Sequence, residues 1–307
     1  MRLPSVGLAA LTQVQLDAWV SQAQTHTHGG LLPDYIPLLT QANPTWFAVQ
    51  VQSVNGQIHT SGDVISFPLM SVVKPFVLLF LLEHLGAEDV FKRVGMEPSN
   101  EPFNSLEQLE ADRGWPRNPM INSGAIALAS MLPGQDARSR CEYLRQWLNQ
   151  RADCHLFLDE LMLNSVRAAG GERNRAIARE LAKFGYLDGE ETALDTYNHV
   201  CCLSGTVTDL ARLGMLLVQC KQVILPEHRR TVNALMTTCG LYQASARFAV
   251  QVGLPTKSGI SGALLSVVPL EGAIACYSPS LDQAGNSKAG LFLLKQLTQA
   301  LNLSIFG

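Results

Sequence analysis

From Pro75 the chain runs through eight apolar residues in a row, Pro75-Phe76-Val77-Leu78-Leu79-Phe80-Leu81-Leu82. A helix that is hydrophobic all round offers no face to water and must be enclosed. Eight residues fall far short of the roughly 20 that cross a bilayer. The run therefore predicts a helix over about 71–85, buried in a large core, and no membrane anchor. The 307 residues can build such a core: 47% are hydrophobic and 16% charged, which excludes disorder and repetitive fibrous folds. Lys and Arg total 23 against 26 acidic residues, so there is no basic face for a nucleic acid.

Around this helix the patterning changes twice. Residues 12–28 carry apolar side chains at helical spacing, at Val14, Leu16, Trp19, Val20 and Ala23. From Trp46 the period becomes two, with Phe47, Val49 and Val51 followed by Asn55-Gly56 and Ile58. Alternation around Asn-Gly predicts a β-hairpin. From about 86 to 240 the pattern is helical, broken by loops such as Glu97-Pro98-Ser99-Asn100-Glu101-Pro102. Strands are then predicted at 248–252, 264–268 and 273–277, and an amphipathic helix at 287–301. The fold class expected is α+β. Residues 1–307 form one domain, with a mixed α/β lobe (antiparallel sheet) from about 1–85 and 240–307 and an inserted all-helical lobe of about 86–239. A small ligand would bind in the cleft between the lobes.

Seven cysteines, at 141, 154, 201, 202, 220, 239 and 276, include no Cys-x-x-Cys pair. Free buried thiols in a reducing cytoplasm are expected, and Met1–Ala10 lacks the long apolar stretch of a secretory signal. His26 and His28 form the one close histidine pair but have no flanking acid or cysteine, so no metal site is expected.

The chain has no Gly-x-x-x-x-Gly-Lys and no Gly-x-Ser-x-Gly, which removes phosphate loops and nucleophile elbows. What stands out is Ser71-Val72-Val73-Lys74. Residues at i and i+3 share a helix face, so a desolvated, neutral lysine could take the serine proton and make a nucleophile. A helix start adds backbone N–H groups suited to an oxyanion. Pro75 removes the N–H that would bond the Ser71 carbonyl, so a loosened first turn is expected there. Alone the motif is weak, because about one occurs by chance in a chain of this length. Lys257-Ser258-Gly259 in the C-terminal β region strengthens it. A Ser-x-x-Lys helix facing a Lys-(Ser/Thr)-Gly strand is the arrangement of penicillin-recognising enzymes.

Further segments extend the match: Asp34-Tyr35-Ile36-Pro37, Pro102-Phe103-Asn104-Ser105, Pro116-Arg117-Asn118-Pro119-Met120-Ile121-Asn122-Ser123-Gly124, Arg173-Asn174-Arg175-Ala176-Ile177, Asp195-Thr196-Tyr197, Cys239-Gly240-Leu241-Tyr242 and Gly253-Leu254-Pro255-Thr256-Lys257. From about Asp34 to the C-terminus the sequence resembles the bacterial and mitochondrial-type glutaminases, which have the serine β-lactamase fold. The resemblance implies hydrolysis of L-glutamine to glutamate and ammonia through a Ser71 acyl-enzyme, with Lys74 as activator and Tyr242 as a proton shuttle. Asn122, Asn174, Tyr197 and Tyr242 would contact substrate, and the Ile260 backbone, with the Ser71 N–H, would form the oxyanion hole. Lys257 and Ser258 join the site as strand partners. No metal or cofactor is implied, and the family suggests a homo-oligomer, dimer or tetramer. Read without the resemblance, Asn122 and Asn174 could cap helices, and Tyr197 and Tyr242 could be core aromatics.

One position departs. The family carries a substrate-binding glutamate ahead of its Arg-Asn motif, yet counting from either side reaches Val166 or Arg167. An acid is missing where the substrate ammonium would be held, and weak glutamine binding is expected. Another serine amidase or β-lactam hydrolase, or a non-catalytic binding protein of the same fold, stays open at this point.

Overall fold

The structure, a computed structural model, describes residues 7–218 and 224–307; Cys220 lies outside them. Helix α1 (Gln13–Thr25) precedes the hairpin strands β1 (Ala48–Ser53) and β2 (Ile58–Gly62). The short strand β3 (Phe67–Pro68) leads into a 3-10 turn, Met70–Val73, and then the long helix α2 (Lys74–Phe91). The helical insert follows: α3 (Leu106–Ala111), α4 (Asn122–Ser130), α5 (Ala137–Ala152), β4 (Phe157–Leu158), α6 (Glu160–Ala168), α7 (Glu172–Lys183), α8 (Glu190–Cys201), β5 (Leu203–Gly205), α9 (Val207–Met215) and α10 (Pro226–Cys239). The chain ends with α11 (Ser245–Gln251), β6 (Thr256–Ser258), β7 (Ala263–Val268), β8 (Gly272–Tyr277) and α12 (Lys288–Leu301).

Both ends of the chain build one antiparallel sheet in the order β2-β1-β8-β7-β6. Strand side chains alternate between faces, and each face has its own core. Val49, Val51, Leu264 and Ile274 pack with Leu16 and Val20 of α1 and Leu293 of α12. Ala48, Leu265, Ala273 and Ala275 face the larger core that contains α2. Helix α9 lies on this second face, against β8, β1 and β7.

The Asn55-Gly56 hairpin forms, with Gly56 at φ 89° and Val49 opposite Ser61. The buried helix forms as well: Phe76 through Leu82 are all buried, packed by α10, α4 and α5. The stretch Met70–Phe91 is long and apolar enough to cross a membrane, but 72% of its most apolar window is buried in the core. It bends at Gly86, whose φ of 82° is not helical. The insert adds two short strands to its helices, since β4 and β5 join β3 in a second sheet.

One expected strand is a helix. Phe248-Ala249-Val250-Gln251-Val252 alternates like a strand, which would bury Val250, yet Val250 is 89% exposed. Ser245, Phe248 and Val252 are the buried positions, at i, i+3 and i+7, so the helical period wins. The edge strand is instead β6, which carries Lys257. The six described cysteines are free and buried. His26 stacks on Phe292 with ring centroids 3.9 Å apart, and His28 Nδ1 meets the Thr25 carbonyl.

Candidate active site

Ser71 lies in the 3-10 turn ahead of α2. Pro75 has no N–H, so the Ser71 carbonyl accepts from the Lys74 N–H instead; the first turn is not loosened as expected but drawn into the tighter i to i+3 form. The preceding residue, Met70, has φ 47°, and Tyr242, on a 3-10 turn across the cleft, has φ 57°. Left-handed backbone at non-glycine residues is costly and concentrates at functional sites. Both flank the serine.

Lys74 is 2% exposed and faces Val73, Val77, Ala125, Leu128 and Val200 across a narrow apolar crevice. Its Nζ donates to Asn122 Oδ1 at 2.8 Å and to the Met120 carbonyl at 3.2 Å. Among the described residues it has no carboxylate partner. Burial lowers its pKa from 10.5 to about 8, against a small opposing pull from Cys201. Lys257, fully buried on β6, donates to the Ser258 carbonyl at 2.7 Å. Its Nζ sits 4.3 Å from the centroid of the Tyr242 ring. Burial and then the charge of Lys74 push its pKa well down.

Asn122 is the hub of the helical wall. Its Oδ1 also accepts from the Tyr197 hydroxyl at 3.0 Å, and its Nδ2 donates to Asn174 Oδ1 at 2.9 Å. The capping alternative fails for both asparagines, because Ile121 is the N-cap of α4 and Gly171 that of α7. The two tyrosines are buried, but their hydroxyls bond within this cluster. The Tyr242 hydroxyl reaches the Ser258 carbonyl at 3.5 Å. Burial lifts its pKa to about 12, opposed by hydrogen bonds with Ser71 and Ser258.

The end of β6 closes against the serine. A Cβ on Gly259 would stand 2.6 Å from the Leu69 carbonyl oxygen and 3.4 Å from the Ser71 nitrogen, so only glycine allows this approach. Ile260 follows at once, and its N–H donates to no described backbone carbonyl. The end of β6 thus brings the Ile260 backbone next to the turn that carries Ser71.

The structure therefore brings together Ser71, Lys74, Asn122, Asn174, Tyr197, Tyr242, Lys257, Ser258 and Ile260. It does not bring in Arg167. That guanidinium makes a bidentate pair with Asp195, with contacts of 2.8–3.0 Å, and both side chains are about two-fifths exposed. Asp195 precedes Tyr197 by two residues, about 200° around α8, so the pair points away from Lys74. Val166 packs against the larger core.

Three more residues belong to this neighbourhood. Phe103 packs on Tyr242 at 4.6 Å between ring centroids, and its carbonyl accepts the Asn122 N–H. Tyr35 lies close enough to Tyr242 to shift its own pKa up, second to burial. Cys201 bonds Tyr197, and burial raises its thiol to about 11. Phe103 and Tyr35 lie in segments already singled out in the sequence; for Cys201 the only signal is its i+4 spacing from Tyr197. A separate open recess of about 470 Å³, lined by residues such as His28, Trp46 and Asp63, lies toward the opposite edge of the sheet from β6.

A family model described as Glutaminase matches residues 30–306. A curated Glutaminase of Synechocystis sp. is 45% identical over 294 residues, which is 94% of this chain and 90% of that protein. A Bacillus subtilis probable glutaminase complexed with 6-diazo-5-oxo-L-norleucine superposes with a TM-score of 0.88 at 31% identity, covering 100% of this chain and 99% of that one. A covalent complex of a Bacillus subtilis glutaminase with 5-oxo-L-norleucine, formed by reaction with that compound, gives a TM-score of 0.87 at 31% identity over 96% of this chain and 99% of the other.

Proposed function

Because the chain belongs to the glutaminase family and hydrolyses L-glutamine to L-glutamate and ammonia, we propose that it does so through an ester on Ser71. Neutral Lys74 takes the Ser71 proton as the oxygen attacks the side-chain amide carbon. The oxyanion is held by the N–H groups of Ser71 and Ile260. Collapse breaks the C–N bond, and the proton passes to the departing nitrogen, by way of Lys74 or Tyr242, to release ammonia. Water then attacks the ester with the same groups as base, which frees glutamate and restores Ser71. Asn122, Asn174 and Tyr197 bind the rest of the substrate. The Lys74–Asn122 bond across the cleft supports treating the two lobes, about 1–85 with 240–307 and about 86–239, as one working domain.

The observation that carries this reading is Lys74 itself. It sits on the same turn as the serine, is bonded only to neutral acceptors, and has its pKa lowered to about 8. A counter-ion would have kept it charged and useless as a base. The test is intact mass after incubation with 6-diazo-5-oxo-L-norleucine. Wild type should gain one adduct at Ser71, and Ser71→Ala should gain none, lose nearly all turnover and stay folded. An adduct elsewhere, or turnover surviving in Ser71→Ala, refutes the assignment.

A reducing, cytoplasmic setting suits the six free buried thiols, and the family resemblance supports a homo-oligomer. Light scattering on the purified protein measures the latter directly; a monomeric mass at working concentration would refute it.

A further inference from the structure

We infer that Asn286, outside the cleft, is a positioning residue for the hydrolytic machinery: by accepting the Ser258 hydroxyl it fixes the β6 carbonyl on which Lys257 and Tyr242 converge. The inference rests on the serine mechanism proposed above. Asn286 is fully buried, and its Oδ1 accepts from Ser258 Oγ at 2.5 Å. The carbonyl of the same serine accepts from Lys257 Nζ at 2.7 Å and from the Tyr242 hydroxyl at 3.5 Å. Asn286 thus grips the outer side of a residue whose inner side holds two groups of the site.

The grip is anchored. The Asn286 N–H donates to Asp282 Oδ1 at 2.9 Å, which also accepts from the Ala284 N–H at 2.9 Å. The Asp282 N–H returns to the Asn286 carbonyl at 2.8 Å, and Gly285 turns the loop with φ 84°. The next residue, Ser287, caps α12 through its bond from the Gly290 N–H. The loop is therefore closed on itself and tied to a helix, a stiff mount for one side chain. Asn286 Nδ2 is buried with no partner among the described residues. An unpaired buried donor is destabilising, and an apolar side chain of similar shape would avoid it. Packing alone does not account for an asparagine here, whereas holding Ser258 does.

The experiment is a double-mutant cycle on the full chain with Asn286→Ala, Ser258→Ala and the double variant, reading kcat, KM and melting temperature. If Asn286 acts through Ser258, each single variant loses about tenfold or more in kcat with KM within about twofold, and the double variant is no worse than the poorer single one. Multiplicative losses, or full kcat in a folded Asn286→Ala, overturn the inference. Should Asn286→Ala not fold, Ser258→Ala decides, since it removes one hydroxyl: unchanged kcat there overturns the inference as well. Labelling of Ser71 by 6-diazo-5-oxo-L-norleucine in wild type separates the two proposals. Its absence sinks the serine mechanism, while labelling with an unresponsive Asn286 sinks only the positioning role.

Discussion

Lys74 Nζ and Asn122 Oδ1 lie 2.8 Å apart, joining the start of α2 to the first turn of α4. The same oxygen accepts the Tyr197 hydroxyl, so one amide orients an amine and a phenol together. Because this acceptor is neutral, it steadies Lys74 without holding its proton.

A base of this kind gives activity a distinct pH limb. With its pKa near 8, the neutral fraction of Lys74 grows as pH rises through that value, and kcat/KM should rise with it. Lys74→Arg keeps a cation but never supplies a neutral base, so turnover should fall at least about a hundredfold. A pH–rate profile of both proteins checks this, and an active arginine variant would refute the base role.

The same burial weighs on stability. The unfolded lysine keeps its proton to about 10.4, while the folded one releases it near 8. Below pH 8 both states are charged, and the folded state bears the full cost of burying that charge, on the order of 3 kcal/mol. Between about 8 and 10.4 the unfolded state holds more protons, so this cost fades as pH rises. Lys74→Met should therefore raise the melting temperature most at pH 7 and progressively less toward pH 10. Calorimetry across that range tests the trend; a gain that grew with pH would contradict it.

Asn122→Asp turns the neutral acceptor into a carboxylate. Paired with it, Lys74 should hold its proton more tightly, moving the acid limb upward by about one unit and cutting the rate at pH 7 about tenfold. Asn122→Ala removes the contact without adding charge and should leave the limb near 8 while raising KM. If the two variants share one pH profile, the charge argument fails.

Much of this was legible because local chemistry forced it. The run Pro75–Leu82 could only be buried, and Asn55-Gly56 could only turn a hairpin. Ser71 and Lys74 shared a helix face, and Lys257 lay on a strand. What escaped reading depended on contacts distant in sequence. The Phe248–Val252 alternation suits a strand until packing exposes Val250. Nothing local in Val207–Met215 says that it covers the sheet. The Asn122–Asn174 bond spans 52 residues, so two plausible helix caps became a site only in three dimensions. Arg167 was the reverse case: placed near the site by counting, it is drawn off by Asp195, a partner 28 residues ahead.

That pairing sharpens the question of the missing acid. Since Arg167 is paired with Asp195, it should not repel a substrate ammonium; of the two positions that counting reaches, this leaves Val166, an apolar side chain packed against the larger core, as the one where the family resemblance expects a glutamate. An ammonium bound there lacks a charge-assisted bond of about 1.5–3 kcal/mol, roughly ten- to a hundredfold in affinity. Val166→Glu should therefore lower KM for L-glutamine by up to that factor and leave an α-N-acylated glutamine unimproved, having no ammonium to meet. Arg167→Glu should leave KM unchanged and cost at most about 1 kcal/mol of stability, by setting two carboxylates side by side at the surface. Steady-state kinetics on both substrates, with a melting curve for each variant, decides the matter. Should Arg167→Glu rather than Val166→Glu tighten glutamine binding, the cleft wall runs through Arg167, and Asp195 holds it in reserve rather than drawing it away.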